Sequence, residues 1–304
     1  MKKVKLFFGF SLLILLIGSY SFAMASDIPK TLSFGLLPAE DAAEMIKQFQ
    51  GIAEHIGKAV GLPIETRVSQ SYNALIEAMN AGHIDVAYLG GSQYVAARRV
   101  GIDCQPVVVA KAQTGRTYYK SCIIVRAESD IKCVEDLKGK TFAFVSPTST
   151  SGGVGPRFIM LKHGINPEKD LRRILYAGKH DSVFLAVMNK KVDAGGTGDV
   201  YFPRWKGRGI LKYTEYIEPQ DMLKDGDIRV VAAVKVPGTV MIARGALGQG
   251  FIEKLRAAFQ SVPKEELNKY RIWGPLLGFV PASHEDYKEL AEMKELARKL
   301  KKKK

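Results

Sequence analysis

Between residues 142 and 161 the chain reads FAFVSPTSTSGGVGPRFIML, with Ser146, Thr148, Ser149, Thr150 and Ser151 running into Gly152, Gly153 and Gly155. Hydroxyls donate hydrogen bonds without carrying charge. Beside a helix N-terminus, where backbone N–H groups lack intrahelical acceptors and the dipole is positive, they make a site for an oxyanion. Taken alone, an N-cap followed by a flexible turn explains the same residues. Three other polar stretches fall where a strand ends or a helix starts: SQSYNAL with Tyr72, RTYYKS with Tyr119 and AGKHDS with His180. Separately these are a packing tyrosine, a strand-surface tyrosine and a helix cap. Together they supply several neutral donors able to converge on one anion. Catalysis finds less support. His55, His83, His163, His180 and His284 stand in no catalytic context, and GxSxG, HExxH and CxxC are all absent. GGVGPR has neither GK[ST] nor GxGxxG, so no catalytic residue, metal ligand or cofactor is expected.

The elements that must position these residues alternate regularly. TLSFGLLP reads as a strand, then Met45, Phe49, Ile52 and Ile56 mark an amphipathic helix ending near Gly61 and Pro63. IETRVS is a strand, SYNALIEAMNAG a helix capped by Ser71, IDVAYLGG a strand and SQYVAARRV a helix. The pattern restarts with the strand YYKSCIIVRA, a short helix in VEDLKGK, the strand TFAFV and a helix expected from Pro156. The strand RRILYAG, the helix DSVFLAVMNKK and the short strand VDAGG follow. DIRVVAAVKVP and GTVMIARGAL are β-rich runs split by Pro237 and Gly238, and helices in GQGFIEKLRAAFQSV (248–262) and HEDYKELAEMKELARKL (284–300) close the chain. The expected fold is α/β: two lobes with doubly wound mixed sheets and a two-strand hinge, the first lobe at 26–117, the second at 118–236, and 237–304 returning to the first.

Lys2, Lys3 and Lys5 before the apolar run LFFGFSLLILLIG, with small residues in AMA at 23–25, read as a secretory signal over residues 1–25, cleaved after Ala25. Removing it takes three of the 45 basic residues and none of the 31 acidic ones, which leaves a net charge of about +11. Part of that excess is the tail RKLKKKK, read as a solvated end; the rest helps draw in an anion. The compartment and the lack of a recognised motif argue against nucleic acid as a partner. Cys104, Cys122 and Cys133 match no metal spacing and allow at most one intramolecular disulfide.

The ordered series SYNALIEAMNAGHIDVAYLGGSQYV, YYKSCIIV, SPTSTSGGVGPRFIM and YAGKHDSVFLAVMNKKVDAG resembles the periplasmic phosphonate-binding proteins of ABC importers over most of residues 31–245. The most specific pieces are the P-x-S-T-S-G run at Pro147–Gly152 and A-G-x-H-D at Ala177–Asp181. The resemblance implies a hinged, type II-like periplasmic binding protein. It implies that Ser149, Thr150 and Ser151 hold the phosphonate oxygens, that Tyr72, Tyr119 and His180 line the cleft, and that an inner-membrane ABC permease is the partner of what is expected to be a monomer. Relatives taking aminoalkylphosphonates place two carboxylates around the ammonium group. Here those positions read Asp199, one place off by simple counting, and Thr239. A phosphate, phosphite or simple alkylphosphonate is therefore the expected ligand. A sensor module would need the same cleft and is separated from a transport component by neighbouring permease genes. An enzyme acting on phosphonates or phosphate esters would turn its ligand over.

Overall fold

The computed structural model describes residues 27–217, 222–269 and 276–303; the expected signal segment lies outside them. The chain opens with β1 (Leu32–Leu36), α1 (Ala42–Val60), β2 (Ile64–Val68), α2 (Tyr72–Asn80), β3 (Val86–Leu89), α3 (Gly91–Arg99) and β4 (Cys104–Ala112). It crosses to β5 (Tyr118–Arg126), β6 (Thr141–Phe144), α4 (Gly155–Lys162), α5 (Pro167–Asp170), β7 (Arg173–Tyr176), α6 (His180–Met188), β8 (Ala194–Gly198) and α7 (Phe202–Gly207). A small hairpin, β9 (Glu215–Ile217) and β10 (Met222–Lys224), precedes β11 (Ile228–Pro237). The chain then returns through β12 (Val240–Arg244), α8 (Gln249–Gln260), α9 (Lys264–Lys269), β13 (Leu276–Pro281) and α10 (Lys288–Lys303).

Two mixed sheets result. The six-stranded sheet runs β13-β4-β12-β3-β1-β2, with β1 parallel to β2 and β3, and the returning β12 inserted antiparallel between β3 and β4. The five-stranded sheet runs β11-β5-β8-β6-β7, with β6 parallel to β7 and β8, and β5 antiparallel to β8 and β11. The two sheets are joined at the crossings from β4 to β5 and from β11 to β12. These run side by side: Tyr118 pairs with Pro237, and the Gly238 amide donates to the Thr117 carbonyl at 2.9 Å. Such a pair of adjacent crossings is the expected hinge.

Helices α1 and α6 lie where their apolar faces find the sheets. Met45, Phe49, Ile52 and Ile56 recur at helical spacing on α1 and are buried, with Phe49 meeting the Phe34 ring edge-on at 5.8 Å. Asp41 caps this helix by accepting from the amides of Ala43 and Glu44, and Gly61, at φ 76°, ends it. On the second sheet Val183 and Val187 of α6 press onto β8 so closely that a Cβ on Gly195 would lie 2.6 Å from Val183 Cγ1. That packing fixes where α6 begins, and therefore where His180 points.

Three expectations change. The helix expected from Pro156 starts six residues earlier, at Thr150, as a π-helical turn over Thr150–Val154. Here Val154 N bonds to Ser149 O, and Gly155 N to Thr150 O. Pro156 brings no N–H, and Gly152 and Gly153 let the widened turn lie against the end of β6, with a Cβ on Gly153 reaching 2.0 Å from the Ser146 carbonyl oxygen. The strand expected at VDAGG runs on to Gly198, because its glycines admit α6 and the π turn against its face. The three cysteines are free: Cys104 and Cys122 are buried on different sheets and Cys133 is exposed, so the disulfide left open by the sequence is not formed.

Candidate functional site

The second sheet contributes a wall of neutral donors. Ser149 takes extended backbone angles and its Oγ accepts from the Gly152 amide at 3.2 Å, which caps the π turn. Thr150 and Ser151 are the first residues of that turn, so their own amides have no intrahelical acceptor. All three are buried. Ser121 Oγ on β5 donates to the Ser151 carbonyl at 2.9 Å and holds the turn on the sheet. Beside it a Cβ on Gly198 would come within 3.0 Å of both Ser151 Oγ and the Tyr119 ring, so only glycine lets these groups meet. Burial pushes the Tyr119 phenol well above its ordinary pKa, partly offset by hydrogen bonding with Ser151 and Thr150. His180, the first residue of α6, sets Nδ1 2.9 Å from Thr197 Oγ1 and stacks on Tyr201 with ring centroids 4.0 Å apart. Burial holds its pKa down to about 3, so the imidazole is neutral at ordinary pH.

The first sheet supplies the opposite wall. Tyr72 begins α2, where Ser71 Oγ caps the helix by accepting from the Ala74 amide. Gln93 fastens this helix start to the next: its Nε2 donates to the Tyr72 carbonyl at 2.9 Å while its Oε1 accepts from the Gly90 amide at 3.0 Å. The Tyr72 hydroxyl is buried, with the Ser149 hydroxyl as its hydrogen-bonding neighbour from the facing wall. Its pKa is pushed far up by burial. Thr239 sits at the second crossing, level with Gly90 because Val240 pairs with Leu89, and its hydroxyl is buried without a partner. Buried hydroxyls are normally satisfied, so the orphaned Thr239 hydroxyl calls for a ligand or water.

Hydrogen bonds tie the walls together. Ser92 N donates to Thr150 Oγ1 at 3.0 Å, and Ser92 Oγ donates to the Thr148 carbonyl at 2.5 Å. Thr150 Oγ1 in turn lies 3.2 Å from Ser92 Oγ, and Thr148 Oγ1 donates to Asn73 Oδ1 at 3.0 Å. The His180 amide reaches the Ala39 carbonyl at 3.3 Å. The cleft is thus closed. Thr150 consequently differs from its two neighbours: its hydroxyl joins the lobes, which leaves its amide as the group aligned with the helix start.

The nearby carboxylates are all engaged. Asp199 Oδ1 accepts from the Lys120 amide at 2.9 Å. Asp181 accepts from Trp205 Nε1 at 2.6 Å and Arg208 Nη1 at 2.5 Å. Glu40, just beyond β1 and 1% exposed, lies 2.6 Å from Arg204 Nη1 on α7, an ion pair between the lobes whose two groups do not meet in hydrogen-bonding geometry. Burial raises the Glu40 pKa to about 7 even with Arg204 opposing it. A cavity of about 630 Å³ borders these charges and is an ionic seam. A cavity of about 370 Å³ lies instead between Pro38, Tyr72 and Asn73 on one side and Ser146, Pro147 and Lys179 on the other, at the mouth of the cleft.

The sequence-derived residues Tyr72, Tyr119, Ser149, Thr150, Ser151 and His180 therefore gather at facing walls, with Asp199 behind Tyr119 and Thr239 at the hinge. Sequence reading missed Tyr88 and Tyr201, whose charges would couple to Tyr72, and it missed the Glu40–Arg204 pair, Ser92 and Gln93. Tyr88 near the end of β3, Glu40 beyond β1 and Tyr201 beyond β8 were accessible through one rule, that ligands gather at the carboxyl ends of strands. Among the described residues no group of His, Cys, Asp and Glu could hold a metal ion, and no helix is long and apolar enough to cross a membrane.

Residues 34–287 match the family described as ABC transporter, phosphonate, periplasmic substrate-binding protein. The chain is 30% identical over 244 residues to the phosphate-import protein PhnD of Mycolicibacterium smegmatis, covering 77% of this chain and 73% of that protein. It is 26% identical over 285 residues to the phosphonates-binding periplasmic protein of Escherichia coli, covering 90% and 80%. A Prochlorococcus marinus protein solved in complex with methylphosphonate superposes with a TM-score of 0.73 at 19% identity, over 90% of this chain and 100% of that one.

Proposed function

This chain belongs to the phosphonate-binding family of periplasmic substrate-binding proteins of ABC transporters, and from that premise we propose that it captures a phosphate, phosphite or simple alkylphosphonate by hinge closure. It is a binding component and not an enzyme; a small ligand and a membrane permease are its partners. In the proposed closed state the amides of Thr150 and Ser151, with the hydroxyls of Ser149, Ser151, Tyr72 and Tyr119 and the imidazole of His180, surround the oxyanion. Thr239 meets it from the hinge, and Asp199 orients the β5 backbone behind Tyr119. Neutral donors avoid the desolvation penalty of a buried cation. The anion draws both lobes together because only the closed state presents both walls, and a ligand shifts an equilibrium by its differential affinity for the two states. The proposal extends to a monomer that does not engage nucleic acid, with its leader cleaved after Ala25 and its lobes divided at 26–117, 118–236 and 237–304.

The observation that carries this reading is the set of buried neutral donors that the two sheets bring together, Tyr72 from one and Tyr119, Ser149, Ser151 and His180 from the other, with the Thr239 hydroxyl buried without a partner at the second crossing. Ligand choice rests on the carboxylates. With Asp199, Asp181 and Glu40 engaged, an ammonium group would be buried without a counter-ion. The names of the mycobacterial phosphate importer and the methylphosphonate complex support the same class. A thermal-shift panel on the protein without its leader tests it. Phosphate, phosphite or methylphosphonate should raise Tm more than 2-aminoethylphosphonate; the reverse ranking would overturn the assignment.

A further inference from the structure

The C-terminal helix reaches the cleft from behind. α10 packs against α3 on one side and α4 on the other, so it touches helices rooted in both sheets. It is seated firmly at its start: Leu290 and Tyr287 are buried, and a Cβ on Gly91, the first residue of α3, would lie 3.0 Å from both of them. The Tyr287 hydroxyl also points to the Gly238 carbonyl at the hinge, 3.5 Å away. One turn further along, Lys294 Nζ donates to the Ser92 carbonyl at 2.8 Å. No carboxylate of the described ion pairs faces this ammonium, and the neighbouring charge that acts on it most is Arg99. A half-buried lysine held by one carbonyl beside an arginine is costly to keep, which asks what its carbonyl partner does.

Ser92 is fully buried, and its remaining two groups hold the anion loop: its amide donates to Thr150 Oγ1, and its hydroxyl to the Thr148 carbonyl. The contacts form a line from α10 through Ser92 to the π turn. We propose that Lys294 and Ser92 are positioning residues for ligand capture: through Lys294, α10 fixes the Ser92 backbone so that Ser92 can clamp Thr148 and Thr150 across the closed lobes. Lys294 touches no ligand in this arrangement. It acts on affinity by stabilising the closed placement of Thr150 and Ser151, and so on the release rate more than the capture rate. The inference rests on the ligand site proposed above.

The test compares Lys294→Met, Lys294→Arg, Thr150→Val and the Lys294→Met/Thr150→Val pair with the unaltered protein. Affinity and release rate are measured with methylphosphonate, phosphite and phosphate. Lys294→Met should bind at least five-fold more weakly, through faster release, while Lys294→Arg, which keeps a cationic donor, stays within about two-fold. In the Thr150→Val background Lys294→Met should add less than it costs alone, since one of the two Ser92 contacts is already lost. Unchanged affinity in Lys294→Met, or an undiminished loss in the Thr150→Val background, overturns the proposal. Failure of the unaltered protein to bind any of the three anions would instead overturn the ligand reading. A distance measured between labels on the two lobes of the unliganded proteins then decides on the clamp: the closed population should fall in Lys294→Met and return in Lys294→Arg, and identical distributions would refute it.

Discussion

Replacing Arg204 with leucine removes the only guanidinium paired with Glu40 at 2.6 Å among the described ion pairs, while the carboxylate stays 1% exposed in the closed cleft. An uncompensated buried charge costs on the order of 3–5 kcal/mol, against the full pair. Because the partners come from different lobes, opening the cleft hydrates Glu40 and relieves the penalty, so the cost falls on closure. Each 1.36 kcal/mol is a factor of ten, so with Glu40 charged the variant would bind about 10²- to 10⁴-fold more weakly, a loss that protonation of Glu40 holds to about ten-fold at pH 8 and that is reached in full only at higher pH. The sign of the pH effect follows from protonation. Burial already raises Glu40 to about 7 with Arg204 opposing it, and removing Arg204 raises it further. A carboxyl whose pKa is raised on closure favours the closed state at low pH and loses that contribution as pH rises through the closed-state value. The ratio of wild-type to Arg204→Leu affinity, measured by calorimetry with one anion at each pH so that ligand titration cancels, should shrink as pH falls from 8 to about 7 and level off below it. Adding Glu40→Gln should restore most of the loss. A ratio constant between pH 5.5 and 8, or no rescue by Glu40→Gln, would refute the account.

Ser149→Ala combined with Ser151→Ala should weaken anion binding at least several-fold, at about 1.5–3 kcal/mol for each hydrogen bond to a charged group, and an unchanged dissociation constant by calorimetry would remove the loop from the site. His180 is depressed to about 3 by burial, so the native state loses stability as pH falls from the ordinary value of 6.5 towards 3. Urea titrations at pH 6.5 and 4.5 should show His180→Gln lacking about 2–3 kcal/mol of the wild-type loss; matching losses would count against a buried neutral imidazole. Gly153→Ala would set a Cβ 2.0 Å from the Ser146 carbonyl oxygen, a backbone atom with no rotamer to escape into. It should lower stability by at least about 1–3 kcal/mol in the same titration, and a neutral outcome would show that the π turn can shift.

Much of the two-sheet plan could be read from periodicity, because α1, α2 and α8 bury one face each and β1, β3 and β5 run between turn residues. What sequence could not reach was set by contacts distant in the chain. The insertion of β12 between β3 and β4 depends on pairing across some 150 residues, and β13 on pairing with β4 at the outer edge. The start of the anion-loop helix was placed too late because Pro156 is a strong local signal, whereas the π turn depends on Gly153 packing against Ser146. The placement of Tyr72, Tyr119 and His180 at element ends was legible in the sequence. Glu40 and Arg204 were not: one follows a strand and the other lies in a helix that the sequence pattern did not reveal, and only folding makes them a pair.

In the proposed reading, the separation of charge from the oxyanion site would give the closed cleft its selectivity. Tyr72, Tyr119 and Tyr201 have pKa values raised by burial and His180 has one lowered by it, so every one of these groups is neutral at ordinary pH. Such a lining solvates an anion by hydrogen bonds alone and gives no counter-ion to an ammonium. The charged groups nearby balance each other at the seam instead, as Glu40 with Arg204 and Asp181 with Arg208. Closure thus needs the ligand for its central hydrogen bonds and the seam for its edges. A cationic substituent would have to break Glu40 or Asp181 away from its arginine, stranding one buried charge to satisfy another. In the proposed site, discrimination against aminoalkylphosphonates would come from partners already taken, and Arg204→Leu, by releasing Glu40, should narrow the preference for methylphosphonate over 2-aminoethylphosphonate even as it weakens both.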